Sequence, residues 1–597
     1  MPNPLVSDRN VEFLLYEVFH GDDVCRFPAY AEHSRETFDL VLQNARKFAR
    51  EVLFPAYKPM DESPAHLVGT GIVVHPLMKQ LFPKLIDQGM TAATRPADVG
   101  GQQLPHVVAT LATLYGMAAN LSAVGYVGLT SGAAHLIEAF GTDALKAEMM
   151  APMYAGKWTG TMALTEPQAG SSLTDVKTTA TKTDAGHYLI RGNKVFISGG
   201  DQDMTENIVH LALGRIEGAP PGIKGVSLFA IPKKRRHNGD LVANDVHCAG
   251  AFHKMGWRGI PSIALNFGEN GDCHGWLVGE PNRGISYMFQ MMNEARLMVG
   301  MNAIATASVA YHESLEYART RPQGRPVTAK NPASPQVPII EHADVRRMLL
   351  RQKAIVEGAL SLGVQTALYA DIAAHGPTPE ERRRAFLLLE MMTPIVKSFA
   401  AEKGFESNAL AVQIHGGYGY TSEYLPEAWL RDQKLNSIHE GTTCMHSMDL
   451  LGRKVVAEQG RALQLLGDEI GAAVKRAASA GVDTELTTAV ERATGLVAEL
   501  TMHLGGIGIA GNVDGMLLHS VDYLDLFGTV IIAWQWLLQA AVAKERLAAG
   551  AEPRAFYEGK GLAAQYWIKT ELPRIDHLAH LCRTGEGSYG AMSEDRF

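Results

Sequence analysis

The chain has 597 residues, with 55 Lys+Arg against 63 Asp+Glu and a formal net charge of −8. That length exceeds what one hydrophobic core supports, so several domains are expected. Hydrophobic residues at 46% and charged residues at 20% exclude wholesale disorder, and the acidic balance argues against a nucleic-acid binder with a basic face.

The N-terminal MPNPLVSDRNVEF has neither a basic nor an apolar targeting region. Residues 34–160 read as helical: DLVLQNARKFAREVLF and PLMKQLFPKLIDQGM space apolar residues at three and four, and a small-residue-rich run follows. At 161 the character changes. TTATKTDAGHYLIRGNKVFISGG alternates polar and apolar residues, with a turn at Asp184-Ala185-Gly186, and NIVHLALGRI, GVSLFAIPK, ALNFGEN and HGWLVGE continue the strand-like pattern. The helical period returns at Gly284 and runs through YART. A connector with five prolines, residues 321–338, interrupts it before two more long helical patterns. The expected organisation is therefore an N-terminal arm and helical domain (1–160), an all-β domain (161–280), a helical-bundle domain (281–460) and a C-terminal helical extension (461–597).

One run in the extension, Leu526 to Ala543, is about long enough to span a bilayer. Gln535 and Gln539 lie inside it and Asp522 and Asp525 just before it, so it reads as a buried helix and not a membrane span. Five widely spaced cysteines (Cys25, Cys248, Cys273, Cys444, Cys582) form no CxxC pair, which disfavours a disulfide framework or a metal site and fits a reducing cytoplasm. There is no strand–GxGxxG–helix unit and no P-loop, so a nucleotide cofactor needs some other cradle.

Four segments concentrate chemistry-bearing residues. In 411–451, Gly416, Gly417 and Gly419 break a helix and let backbone approach a ligand. Glu440 follows there, within Ile438-His439-Glu440-Gly441-Thr442-Thr443. A carboxylate in such a loop suits a general base with a raised pKa, or else an exposed acid beside a helix N-terminus. Met162–Ser172 (MALTEPQAGSS) reads as a loop with free N–H groups and hydroxyls, either a phosphate or flavin cradle or an ordinary turn. Lys194–Gly200 ends a strand with an aromatic and a hydroxyl before two glycines. Glu294-Ala295-Arg296 lies on the long helix, where an Arg is either a ligand group or a snorkelling surface residue.

Together these segments resemble the acyl-CoA dehydrogenase family over roughly residues 40–455. The motifs are LTEPQAGSS, FISGG and QIHGGYGYTSEY…LRD…IHEGTT. LLYEVF, the Pro-rich connector and the helical tail look like the family's longer branch, which includes 3-methylmercaptopropionyl-CoA dehydrogenases and broad-range bacterial acyl-CoA dehydrogenases. The resemblance implies a mainly α fold with a central all-β domain, in the family's order of helical domain, β-barrel and four-helix domain, followed by a helical extension. It implies FAD as cofactor and no metal. Glu440 matches the base of the family's I-Y-E-G-T motif, and Gly441 and Thr442 match that motif's flavin-contacting end, Gly441 also adjoining the substrate. Leu164, Thr165 and Ser171 match the loop that binds the flavin ring and pyrophosphate. Phe196 and Ser198 match residues packing on the isoalloxazine and bonding its N5 edge. Gln413, Gly416, Gly417 and Arg321 match residues that reach the FAD of a neighbouring subunit, and Arg296 an arginine lining the acyl-CoA site.

The departures are His439 in place of an aromatic, Phe196 in place of Trp, and Pro322-Gln323 where many members carry a Phe. Some relatives set the base beside the helix arginine. That position is Ala295 here, and Glu294 would project about 100° away from it on the helix. The implied chemistry is α-proton removal by Glu440 and hydride transfer from the β-carbon to the flavin, giving a trans-2-enoyl-CoA. An electron-transferring flavoprotein is the expected acceptor, and a homodimer the expected assembly. Two alternatives share the fold: an acyl-CoA oxidase that reduces O2, and an alkylation-response-like flavoprotein that binds DNA through a basic tail. Residues 461–597 hold 12 Lys+Arg against 17 Asp+Glu, which opposes the second.

Overall fold

The computed structural model describes residues 3–328, 331 and 333–597, the side chains at 290–293 excepted. The chain divides into two compact units: residues 39–295, and residues 1–38 together with 296–597.

The first unit opens with helices. Helix α1 (Arg35–Phe48) carries the chain into it, α2 (Pro76–Asp87) begins on a Pro at its first turn, and α3 (His106–Phe140) is bent at Asn120. The bend has a local cause: the Asn120 side-chain oxygen accepts the Ala123 N–H at 3.1 Å, as a helix N-cap does, so the chain restarts its helix there. A short hairpin, His66–Val68 with Gly71–Val73, interrupts this otherwise helical region.

Of the strands described after this hairpin, Lys234–His237 and Asp240–Ala243 pair with each other alone, and eight others build the main sheet: β1 (Trp158–Ala163), β2 (Thr179–Lys182), β3 (Tyr188–Ser198), β4 (Asn207–Ile216), β5 (Val226–Pro232), β6 (Val246–Ala251), β7 (Ser262–Phe267) and β8 (His274–Leu277). They form one sheet in the order β6-β7-β3-β8-β5-β4-β1, with β2 lying across β3 and β4. β1 and β2 run parallel to β4, and the other pairs are antiparallel. The expected turn at 184–186 joins β2 to β3, and strand structure starts at Trp158, three residues before the compositional change. The first eight residues of β4 are all buried, so its apolar run shows no alternation. Leu211, Leu213, Leu228 and Ala230 from the sheet, Ile137 from α3 and Met153 share one core.

The second unit is built on long helices. α4 (Gly284–Thr320) enters it, and α5 (Ala343–His375) and α6 (Pro379–His415) follow. α6 starts on a full capping box, Thr378 with Glu381, and ends at Gly416. The proline-rich connector closes on itself: Gln323 N–H donates to Val337 (3.0 Å) and Ile339 N–H to Arg321 (2.9 Å). Then come α7 (Pro426–Leu435), α8 (Thr443–Asp449) and the extension helices α9 (Ala457–Ser479), α10 (Thr484–Ile509), α11 (Ser520–Ala548) and α12 (Arg554–Tyr566).

Among the described residues two helices, α3 and α11, are long and apolar enough to cross a membrane, and 78% and 94% of their apolar windows are buried inside the protein. α11 is the helix expected to be buried, and several of its polar groups have protein partners. Gln535 donates to Gln365 at 2.6 Å and accepts from Ser361 at 2.7 Å, and the Trp536 indole donates to the Ala354 carbonyl at 2.9 Å. α5 comes close to α11 at Gly358, where a β-carbon would lie 2.7 Å from Ile532. The N-terminal arm packs in this unit: Asn3 donates to the Val309 carbonyl (3.0 Å) and Glu313 (2.9 Å), and Ser308 donates to the Leu5 carbonyl (2.9 Å).

Candidate active site

Glu440 lies on the turn between α7 and α8, in a left-handed conformation at φ +53° that a non-glycine residue adopts only when its surroundings impose it. Gly441 follows at φ +93°, and a β-carbon there would lie 3.0 Å from His446 Nε2, so only glycine fits. Two side chains hold this turn. Lys397 of α6, fully buried, donates to the Gly441 carbonyl at 2.5 Å, and His446 of α8 donates to the Glu440 carbonyl at 3.1 Å. The Thr443 hydroxyl donates to Glu402 of α6.

Burial pushes the Glu440 carboxyl above its ordinary value, and the charges of Arg296 and Lys397 pull it part of the way back. Arg296 is itself 7% exposed and pairs with Asp449 at 3.2 Å, and its Nε has no partner among the described residues. Burial lowers the Lys397 ammonium to about 8 against the pull of Glu402 and Glu440. Burial also lowers His446 to about 3, so the ring is neutral at physiological pH, and its Nδ1 has no partner among the described residues. Glu294 is a different kind of carboxylate. Its side chain is 46% exposed, it pairs with His135 at 3.1 Å, and that imidazole, opposing burial, holds it below its ordinary value.

In the sheet unit, the loop after β1 carries Leu164, Thr165 and Ser171. Leu164 and Thr165 are partly buried and Ser171 is exposed. One buried carboxylate organises this loop. Glu166 accepts from Lys194 Nζ (2.8 Å), the Lys177 N–H (2.6 Å), and the Thr178 N–H (3.1 Å) and hydroxyl (2.6 Å). Lys194 also donates to the carbonyls of Leu164 (3.2 Å) and Leu213 (2.7 Å), so the loop is tied to β4. Near the end of β3, Phe196 sits at φ +60° with 63% of its surface exposed, stacked on Phe252 at 4.6 Å. Ser198, two residues on, ends the strand, partly exposed.

In the helical unit, Gln413, Gly416 and Gly417 are exposed where α6 ends, and Gly416 has φ +61° with open space where a side chain would stand. Arg321 is exposed, with its guanidinium 5.9 Å from the centre of the exposed Tyr418 ring. Thr442 is partly buried just before α8. The structure thus groups Glu440, Gly441 and Thr442 on one turn beside Arg296, and gathers Arg321, Gly416 and Gly417 around Tyr418. Lys397, His446 and Glu402 were not singled out in the sequence. Their only signal there is a polar residue interrupting an otherwise apolar helical period.

Four family models match the chain in order: acyl-CoA dehydrogenase N-terminal domain (35–157), middle domain (161–269) and C-terminal domain (282–455), then acetyl-CoA dehydrogenase C-terminal like (466–593). The chain is 36% identical to a 3-methylmercaptopropionyl-CoA dehydrogenase of Ruegeria pomeroyi over 91% of this chain and 92% of that one. It is 32% identical to the broad-specificity linear acyl-CoA dehydrogenase FadE5 of Mycobacterium tuberculosis over 99% of each. Two solved structures share the fold: Caenorhabditis elegans ACDH-11 in complex with C11-CoA (TM-score 0.77, 18% identity, 98% of this chain and 94% of that one), and a Bacillus anthracis acyl-CoA dehydrogenase complexed with FAD (TM-score 0.75, 20% identity, 97% and 91%). With a relative above 30% identity across nine-tenths of both chains and family models in sequence from 35 to 593, this chain belongs to the acyl-CoA dehydrogenase family of oxidoreductases.

Proposed function

We propose that the chain oxidises the α,β-bond of an acyl-CoA thioester to a trans-2-enoyl-CoA, with Glu440 as the base. The observation that carries this reading is the Glu440 turn: a carboxylate whose basicity burial raises, in a strained conformation that its neighbours fix, beside a cation that can face an anionic or polarised ligand. Glu294 lacks the first property, because His135 keeps it ionised and weakly basic.

The residues present fit FAD. The exposed Phe196–Phe252 stack offers a flat apolar face, the loop at 164–172 offers hydroxyls and backbone donors, and Arg321 with the open Gly416-Gly417 turn offers a cation and a close backbone approach for a pyrophosphate. Leu164, Thr165, Ser171, Phe196 and Ser198 of the sheet unit would contact FAD, as would Thr442 of the helical unit, and Gln413, Gly416, Gly417 and Arg321 would contact that of a second copy, which makes a dimer the working unit. FAD supplies a two-electron hydride acceptor when bound. The chain's own part is to acidify and collect a proton. The Glu440 N–H donates to the thioester carbonyl, where charge develops as the α-proton leaves, and the Glu440 carboxylate takes that proton. Arg296 and Gly441 line the substrate side of the turn. An electron-transferring flavoprotein is the expected acceptor of the reducing equivalents.

Anaerobic titration of the purified yellow protein with a panel of acyl-CoAs tests this reading. Bleaching of the oxidised flavin band by one or a few thioesters is expected. A protein that neither carries FAD nor takes it up contradicts it.

A further inference from the structure

We infer that Lys397 and His446 are positioning residues for the Glu440 carboxylate, acting on two consecutive backbone carbonyls from two different helices. The inference rests on the reading of Glu440 as the base. Lys397 projects from the middle of α6 and holds the Gly441 carbonyl at 2.5 Å. His446 projects from α8 and meets the Glu440 carbonyl at 3.1 Å, and since a carbonyl only accepts, the ring proton sits on Nε2. Fixing both carbonyls fixes the peptide planes 440–441 and 441–442. With both carbonyls tied to these side chains, the left-handed backbone at Glu440 and Gly441 cannot relax to the commoner right-handed form without breaking a buried hydrogen bond.

The two residues contribute differently. Lys397 is a buried cation whose charge reaches Glu440, so it adds an electrostatic term to the geometric one. His446 is neutral and contributes geometry alone. The charged and titratable groups around Glu440 in this unit include His439 beside it in the chain, Arg296 from α4, Lys397 and Glu402 from α6, and His446 and Asp449 from α8. Arg296 already has Asp449 as counter-ion, whereas Glu402 is engaged by Thr443. Arg296 acts more strongly on the carboxylate, and Lys397 is the cation that also holds the turn, so its removal changes field and geometry together.

The test uses the flavin-loaded full chain and the pH dependence of kcat/KM over about pH 5 to 9, the limb on the acid side reporting the base. Lys397→Met is expected to move that limb upward by about one pH unit, the size of effect of removing one nearby opposite charge. Lys397→Arg is expected to restore it. His446→Leu is expected to lower kcat by about 10- to 100-fold through misplacement of the turn, with the limb where the wild type has it. His446→Gln, which keeps an N–H donor, is expected to recover most of that loss. An unmoved limb together with unchanged kcat in Lys397→Met overturns the inference, as does unchanged kcat in His446→Leu. If Lys397→Met does not yield folded protein, the His446 pair decides alone. Glu440→Gln run in parallel separates the two levels: full turnover there overturns the base reading itself, while an inactive Glu440→Gln beside wild-type behaviour of the Lys397 and His446 variants overturns the positioning alone.

Discussion

Glu440 and Glu294 sit in opposite electrostatic environments, although the sequence offers both as acids near the same arginine. Glu440 gains basicity from burial, and Glu294 loses it to His135. For Glu440 the sign of the pH effect follows directly. A base works deprotonated, so kcat/KM falls as pH drops through its raised pKa, and the acid limb lies above the ordinary glutamate value of about 4.5. A pH–rate profile flat down to the ordinary value contradicts this. Glu294→Gln is expected to leave that limb in place, read from the same profile. The motif around Glu440 was legible through its resemblance to the family's I-Y-E-G-T motif, since the residues alone left a base and an exposed acid beside a helix start both open. Lys397 was not, because it lies 43 residues away on a helix whose apolar period marks only a packed face, and nothing in that period says which backbone a buried ammonium meets.

Among the elements, the loop at 164–172 depends on one buried ion pair. Glu166 is 3% exposed and Lys194 0%. Burial alone would raise the Glu166 carboxyl, but the Lys194 ammonium and the donors at 177 and 178 hold it at about 2. A folded-state value below the unfolded value of about 4.5 gives stability that is fully present above about pH 4.5 and is lost as pH falls toward about 2. Lys194→Met strands the carboxylate and is expected to cost about 3–5 kcal/mol. It should also weaken FAD retention, measured by denaturation midpoints and by flavin released on dilution. Unchanged stability and unchanged retention contradict this assignment. The long helices at 284–320, 343–375 and 379–415 were legible to within a few residues, since their period is sustained and Gly and Pro punctuate their ends. The hairpin at 66–73 and the bend at Asn120 were not. The first is a three-residue pairing too short to build a period. The second is set by one side chain capping its own backbone.

At the scale of the helical unit, a buried charge cluster ties distant parts of the chain together. Lys560 of α12 donates to Glu357 of α5 at 2.7 Å, to Gln539 of α11 at 2.9 Å and to Asn10 of the N-terminal arm. Lys353 pairs with the other oxygen of Glu357. Burial opposes the Glu357 charge, and the two ammonium groups outweigh it and hold the carboxyl at about 2. The arm and the extension are therefore docked by the same carboxylate. Glu357→Ala leaves Lys560 buried without its counter-ion, and a loss of about 3–5 kcal/mol is expected, with earlier proteolysis of the arm and of residues 461–597. An unchanged melting temperature and an unchanged proteolysis pattern contradict this. Residues 10, 357, 539 and 560 come together only through tertiary packing, so the sequence offered helices for the extension but no reason for its attachment. The buried character of α11 was legible, because Gln535 and Gln539 need protein partners and the structure supplies them.

The central claim is that Glu440 removes the substrate's α-proton. The most direct measurement is anaerobic mixing of flavin-loaded Glu440→Gln with an acyl-CoA that bleaches the wild-type flavin. The amide keeps the size and shape of the side chain and removes its basicity. The account predicts a perturbed flavin band that reports binding, with the rate of bleaching reduced by about 10²- to 10⁴-fold. Bleaching at the wild-type rate would place the base on another residue and contradict the account.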